Sequence, residues 1–65
     1  MNYRLWMRKI RLKMGLTQQQ LAELATVSEP TVCGLETGRI KRPSVIVAQL
    51  LAEVLQVPWT KFYEL

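Results

Sequence analysis

The chain has 65 residues, 49% of them apolar and 22% charged, with three Gly, three Pro, one Cys and no His. That length allows a single core, since a chain of this size buries only about 60% of the surface its unfolded form exposes, and the apolar fraction excludes a disordered segment. Nine basic against five acidic residues leave a net charge of +4 and an isoelectric point near 9.7, which makes nucleic acid a candidate partner.

The first helix is read from Tyr3, Met7, Ile10 and Met14, which recur at helical spacing with Trp6 beside them and charges between. Gly15 ends it, at the position favoured for a left-handed residue after a helix. Five positive charges, Arg4, Arg8, Lys9, Arg11 and Lys13, fall in this stretch with no acid among them. They read either as a solvated face or as long-range attraction for phosphate.

Thr17 opens the second helix. Its hydroxyl is placed to accept from the amide three residues on while Gln20 reaches back, and Leu16 and Leu21 flank the cap as a hydrophobic staple. Leu21, Ala22 and Ala25 supply the buried side. After Thr26 and Val27 the same grammar repeats: Ser28 caps, Val27 and Val32 form a second staple, and Pro30 sits in the first turn, where its missing N–H is harmless. The third helix runs to about Thr37, and Gly38 stops it. Two caps eleven residues apart thus delimit a helix, a three-residue turn and another helix, over about residues 17–37.

Arg39, Ile40, Lys41, Arg42 and Pro43 form a basic loop that cannot be helical at its end. Ser44 caps a fourth helix with Val45, Val47, Ala48, Leu50, Leu51 and Leu55 on a broad apolar surface. Gln56, Val57 and Pro58 break the pattern, and Trp59 to Tyr63 leaves room for one last short helix. Five short helices and no strand predict an all-α domain spanning residues 1–65.

Gly15-Leu16-Thr17-Gln18, Leu21-Ala22, Val27-Ser28, Thr31-Val32, Leu35-Glu36, Gly38 and Lys41-Arg42-Pro43-Ser44 together resemble the phage repressor and Cro family of helix-turn-helix DNA-binding domains. The resemblance covers roughly residues 7–62. It implies a compact five-helix bundle whose third helix enters the major groove of double-stranded DNA. One position departs from the family: the turn residue commonly glycine is Thr26. A β-branched residue forced into the left-handed region is strained by about 1 kcal/mol or more; a different turn geometry is the alternative.

Site residues follow from residue chemistry and from the resemblance together. Exposed amides at the start of the second helix, at the positive end of its dipole, suit a phosphate oxygen, and the family implies that Gln18 contacts the backbone there. Glu36 lies in the last turn of the third helix, the unfavourable end for a carboxylate. The family implies that Arg11 pairs with it and also touches phosphate. Lys41 and Arg42, and less directly Arg39, are implied phosphate ligands from the basic loop. On the third helix the family places Ser28, Glu29, Pro30 and Gly34 toward the groove. This set lacks the Gln, Asn or Arg that make bidentate base contacts. Glu29 suits a cytosine amine, and Pro30 and Thr31 suit a thymine methyl. Gly34 costs about 1 kcal/mol relative to alanine in a helix interior, for which a close backbone approach to DNA or to a neighbouring helix would compensate.

Other chemistry is excluded by what is missing. One cysteine and no histidine provide no disulfide, no zinc ligand set and no Cys–His pair, and the carboxylates are unpaired; we expect no enzyme activity, metal or cofactor. No stretch approaches the ~20 apolar residues of a membrane span, and charge interrupts any leader at the start, so a cytoplasmic protein is expected, on the nucleoid when bound. The leading function is a sequence-specific transcriptional regulator, a repressor, acting as a homodimer on DNA. Trp59, Phe62, Tyr63 and Leu65 provide its dimer surface, as the family implies, unless Trp59 and Phe62 fold back onto the domain. The alternative is a protein-binding module on the same scaffold, an antitoxin-like partner of a toxin or an antirepressor.

Overall fold

The computed structural model describes residues 4–64 of the chain. Four α-helices, α1 (Leu5–Lys13), α2 (Gln18–Ala25), α3 (Glu29–Thr37) and α4 (Val45–Leu55), are followed by a 3₁₀ helix over Trp59–Tyr63. The fifth helix is therefore present in position but not in type. The five residues Trp59–Tyr63 that follow Pro58 take the tighter 3₁₀ bonding that suits short pieces.

Three of the four α-helices begin on the caps legible in the sequence. Thr17 Oγ1 accepts from the Gln20 N–H at 3.0 Å while Gln20 Oε1 accepts from the Thr17 N–H at 2.9 Å, a complete capping box. Ser28 accepts from the Thr31 amide and Ser44 from the Val47 amide. Helix α1 starts differently. Its first flanking residue is Arg4, in the left-handed conformation (φ 46°, ψ 46°) with no side-chain cap. Tyr3 lies outside the described residues, and Met14 follows the helix and stands 45% exposed rather than on its apolar face.

Thr26 adopts the left-handed conformation the helix-turn-helix requires (φ 57°, ψ 38°). The Val27 N–H reaches back to the Ala22 carbonyl at 3.0 Å, a closure that forces the residue between them out of the helical region. The strain on this β-branched residue is thus carried by the turn and offset by the packing of α2 on α3.

The core is built from Met7, Leu21, Val32, Leu35, Ala48, Leu51 and Phe62, all fully or nearly fully buried. Each α-helix contributes to it, and Trp6, Ile10, Leu16, Val27 and Ile40 pack against its edge. Phe62 closes the end of the bundle, its ring edge-on to Trp6 at 5.1 Å and 72°. No helix of the described residues is long and apolar enough to cross a membrane.

Candidate nucleic-acid interface

The start of α2 and the end of α3 are joined by a buried polar network. Arg11 Nε donates to Glu36 Oε2 at 2.6 Å and its Nη2 to Oε1 at 3.1 Å. A third donor, Gln18 Nε2, reaches the same Oε1 at 3.1 Å. Arg11 Nη1 turns to the Leu16 carbonyl at 2.8 Å, just ahead of the α2 cap. Arg11 and Glu36 are 7% and 8% exposed, so this is a desolvated, charge-assisted pair and not a surface one. It satisfies the carboxylate at the unfavourable end of the α3 dipole. It also fixes the first turn of α2, where the capping box takes the Gln20 amide and leaves the Gln18 and Gln19 amides outside it.

The basic loop between α3 and α4 is held by its backbone. The Arg4 guanidinium, itself buried, donates from Nη1 to the carbonyls of Leu35 at 3.1 Å and Ile40 at 2.8 Å, and from Nη2 to those of Lys41 and Phe62. From the other side, the Tyr63 hydroxyl donates to the Pro43 carbonyl at 2.8 Å. Lys41 and Arg42 are exposed on this pinned loop. Arg8, Lys9 and Lys13 are exposed along α1.

The role of Arg4 in holding this loop is not legible in the sequence. Arg4 is one of five helix-1 charges, and nothing in its neighbours marks it as buried. Its four carbonyl partners are 31 to 58 residues away in the chain, so no local pattern could have revealed them.

On α3, Ser28, Glu29 and Pro30 are exposed and Thr31 is half-buried. The Ser28 and Thr31 hydroxyls are hydrogen-bonded to each other at 2.7 Å. Gly34, expected on the groove side, is buried instead. The side chains of Arg39 and Ile40 lie over it, closer than a Cβ would permit. The close approach at this glycine is made by the loop that follows α3, and not by the neighbouring helix that the sequence led us to expect. Cys33 is half-buried with a free thiol.

The expected dimer surface is reduced. Phe62 is 1% exposed and belongs to the core, because its ring is needed to cover the end of α1 and α4. Tyr63 is half-buried, with Trp59 edge-on to it at 5.9 Å. Trp59 is 38% exposed, and Leu65 lies outside the described residues.

Comparison with known proteins agrees with this geometry. A family model described as helix-turn-helix matches residues 7–62. This chain belongs to the phage-repressor and Cro type of helix-turn-helix family. It is a DNA-binding, transcription-regulating family, and not one of enzymes. The chain is 38% identical over 61 residues, 94% of its length and 79% of the relative's, to an uncharacterized HTH-type transcriptional regulator, YqaF, of Bacillus subtilis. It is 44% identical over 48 residues, 74% of its length and 68% of the relative's, to an uncharacterized HTH-type transcriptional regulator of Methanothermobacter thermautotrophicus. Arg4 precedes the segment matched by the helix-turn-helix model, which begins at residue 7.

Proposed function

We propose that this protein is a sequence-specific regulator of transcription that binds double-stranded DNA and acts as a repressor, with α3 in the major groove. The observation that carries this reading is the rigid mounting of Lys41 and Arg42. Both are exposed, on a loop whose carbonyls are gripped by Arg4 and Tyr63. Fixed cations lose less freedom on meeting phosphate than cations on a mobile loop, and they set the register of the helix that reads bases. Gln18 and the first amides of α2 supply a second phosphate site, oriented by Glu36, while Arg11, nearly buried, acts mainly by holding that carboxylate. Ser28, Glu29, Pro30 and Thr31 face the bases, with Glu29 accepting from a cytosine amine.

One helix reads only a few base pairs, so the regulator works in pairs on two half-sites about one helical turn apart. Trp59 and the exposed edge of Tyr63 are the surface on which copies meet. The protein works in the cytoplasm, at the nucleoid when bound. Selecting sites from a random duplex pool tests the reading. A two-fold symmetric motif is expected, with one cytosine-containing position relaxed in Glu29→Ala. A pool that shows no enrichment refutes it.

A further inference from the structure

The outward arc of α3 carries a trough where a base-reading side chain would be expected. Pro30 and Gly34 lie one helical turn apart and so share a face, away from Val32 and Leu35 in the core. Gly34 is buried only because the following loop folds back over it. The Gly38 N–H and the Ile40 N–H both donate to the Gly34 carbonyl, at 3.1 and 2.9 Å, around Gly38 at φ 88°. This turn lays the Arg39 side chain along α3. Its Nη2 donates to the Pro30 carbonyl at 2.7 Å and sits 2.6 Å from where a Gly34 Cβ would be. Any other residue at position 34 would meet that guanidinium and the Ile40 side chain, whose Cδ1 and Cγ1 lie 2.8 Å from the same point.

We propose that Arg39 is a base-reading residue: seated in the trough left by Gly34, its guanidinium replaces the side chain that α3 lacks and reads a guanine in the major groove. The inference rests on α3 being the groove helix, as proposed above. A guanidinium has five donors in a planar fork. One is anchored on the Pro30 carbonyl, and Arg39 remains exposed, which leaves an oriented edge for the O6 and N7 acceptors of guanine, the commonest specific contact of arginine. Its anchor is the α3 backbone in the first turn, beside Glu29 and Pro30, the part of a recognition helix that meets base edges. Lys41 and Arg42, by contrast, project from the loop beyond it.

Site selection and salt titration of three variants test this, with thermal unfolding as a check on folding. Arg39→Ala is expected to lose preference for guanine at one base pair per half-site by about 5- to 150-fold. Arg39→Lys keeps the charge but not the fork, so the salt slope is retained and the guanine preference is not. Gly34→Ala expels the guanidinium without removing it and is expected to lose the same preference at an unchanged salt slope. An Arg39→Ala motif identical to the wild type, with a salt slope flatter by about one unit per protomer, would make Arg39 a phosphate ligand and overturn the inference while leaving the DNA-binding reading intact. A wild-type protein that selects no motif would overturn both.

Discussion

Glu36→Gln changes one atom of the carboxylate and removes the charge that organises the start of α2. In the native protein the two carboxylate oxygens accept three donors: Arg11 Nε at 2.6 Å, Arg11 Nη2 at 3.1 Å and Gln18 Nε2 at 3.1 Å. An amide offers one oxygen, so its NH₂ group must face at least one of these donors. Arg11, only 7% exposed, then keeps a charge with no counter-charge. Breaking one partner of a buried pair costs about 3–5 kcal/mol. The whole domain holds only roughly 3–10 kcal/mol at 0.05–0.15 kcal/mol per residue. For a domain of this size the loss lowers Tm by about 12–40 °C. Thermal unfolding followed by far-ultraviolet circular dichroism measures it. Combining Glu36→Leu with Arg11→Met, which removes both charges, is expected to recover much of the loss, because the remaining penalty is packing and not desolvation. A Glu36→Gln protein within about 1 kcal/mol of the wild type would refute the reasoning, since a loss that small is typical of an exposed pair.

Thr26→Gly relieves a β-branched residue at φ 57°. The relief of about 1–2 kcal/mol, less the greater unfolded-state freedom of glycine, about 0.4–1 kcal/mol, leaves a gain of roughly 1 kcal/mol and a Tm higher by about 4–8 °C. A lowered Tm would show the turn to be unstrained. Arg4→Met deprives the carbonyls of Leu35, Ile40, Lys41 and Phe62 of one shared cation. Charged hydrogen bonds contribute about 1.5–3 kcal/mol each and are not additive, so a loss of about 3 kcal/mol or more is expected, together with faster amide exchange over residues 39–42. Unchanged exchange in that loop would contradict the clamp.

The elements that the sequence specifies locally were legible in it. Thr17, Ser28 and Ser44 cap the helices they announce, because a cap is a relation among residues three apart. The left-handed state of Thr26 was foreseeable only as one of two outcomes, since the choice depends on how α2 packs on α3. What was illegible depends on the chain returning to itself. The burial of Gly34 follows from the course of the loop after Gly38, and the burial of Arg4 from carbonyls distant in sequence. Phe62 illustrates the same limit from the other side. An aromatic cluster near the end of a short chain is equally consistent with a docking surface and with the lid of a core, and only the position of Trp6 decides between them.

The dependence of duplex binding on salt tests the central claim most directly. The phosphate contacts proposed for Lys41 and Arg42 would release counterions, so the logarithm of affinity would fall linearly with the logarithm of salt concentration, at about 0.9 units per contact. The account predicts a steep slope for the wild type. Lys41→Ala and Arg42→Ala should each flatten it by about one unit per protomer and weaken all sequences alike. Slopes identical to the wild type in both variants would contradict it and remove the loop from the DNA surface.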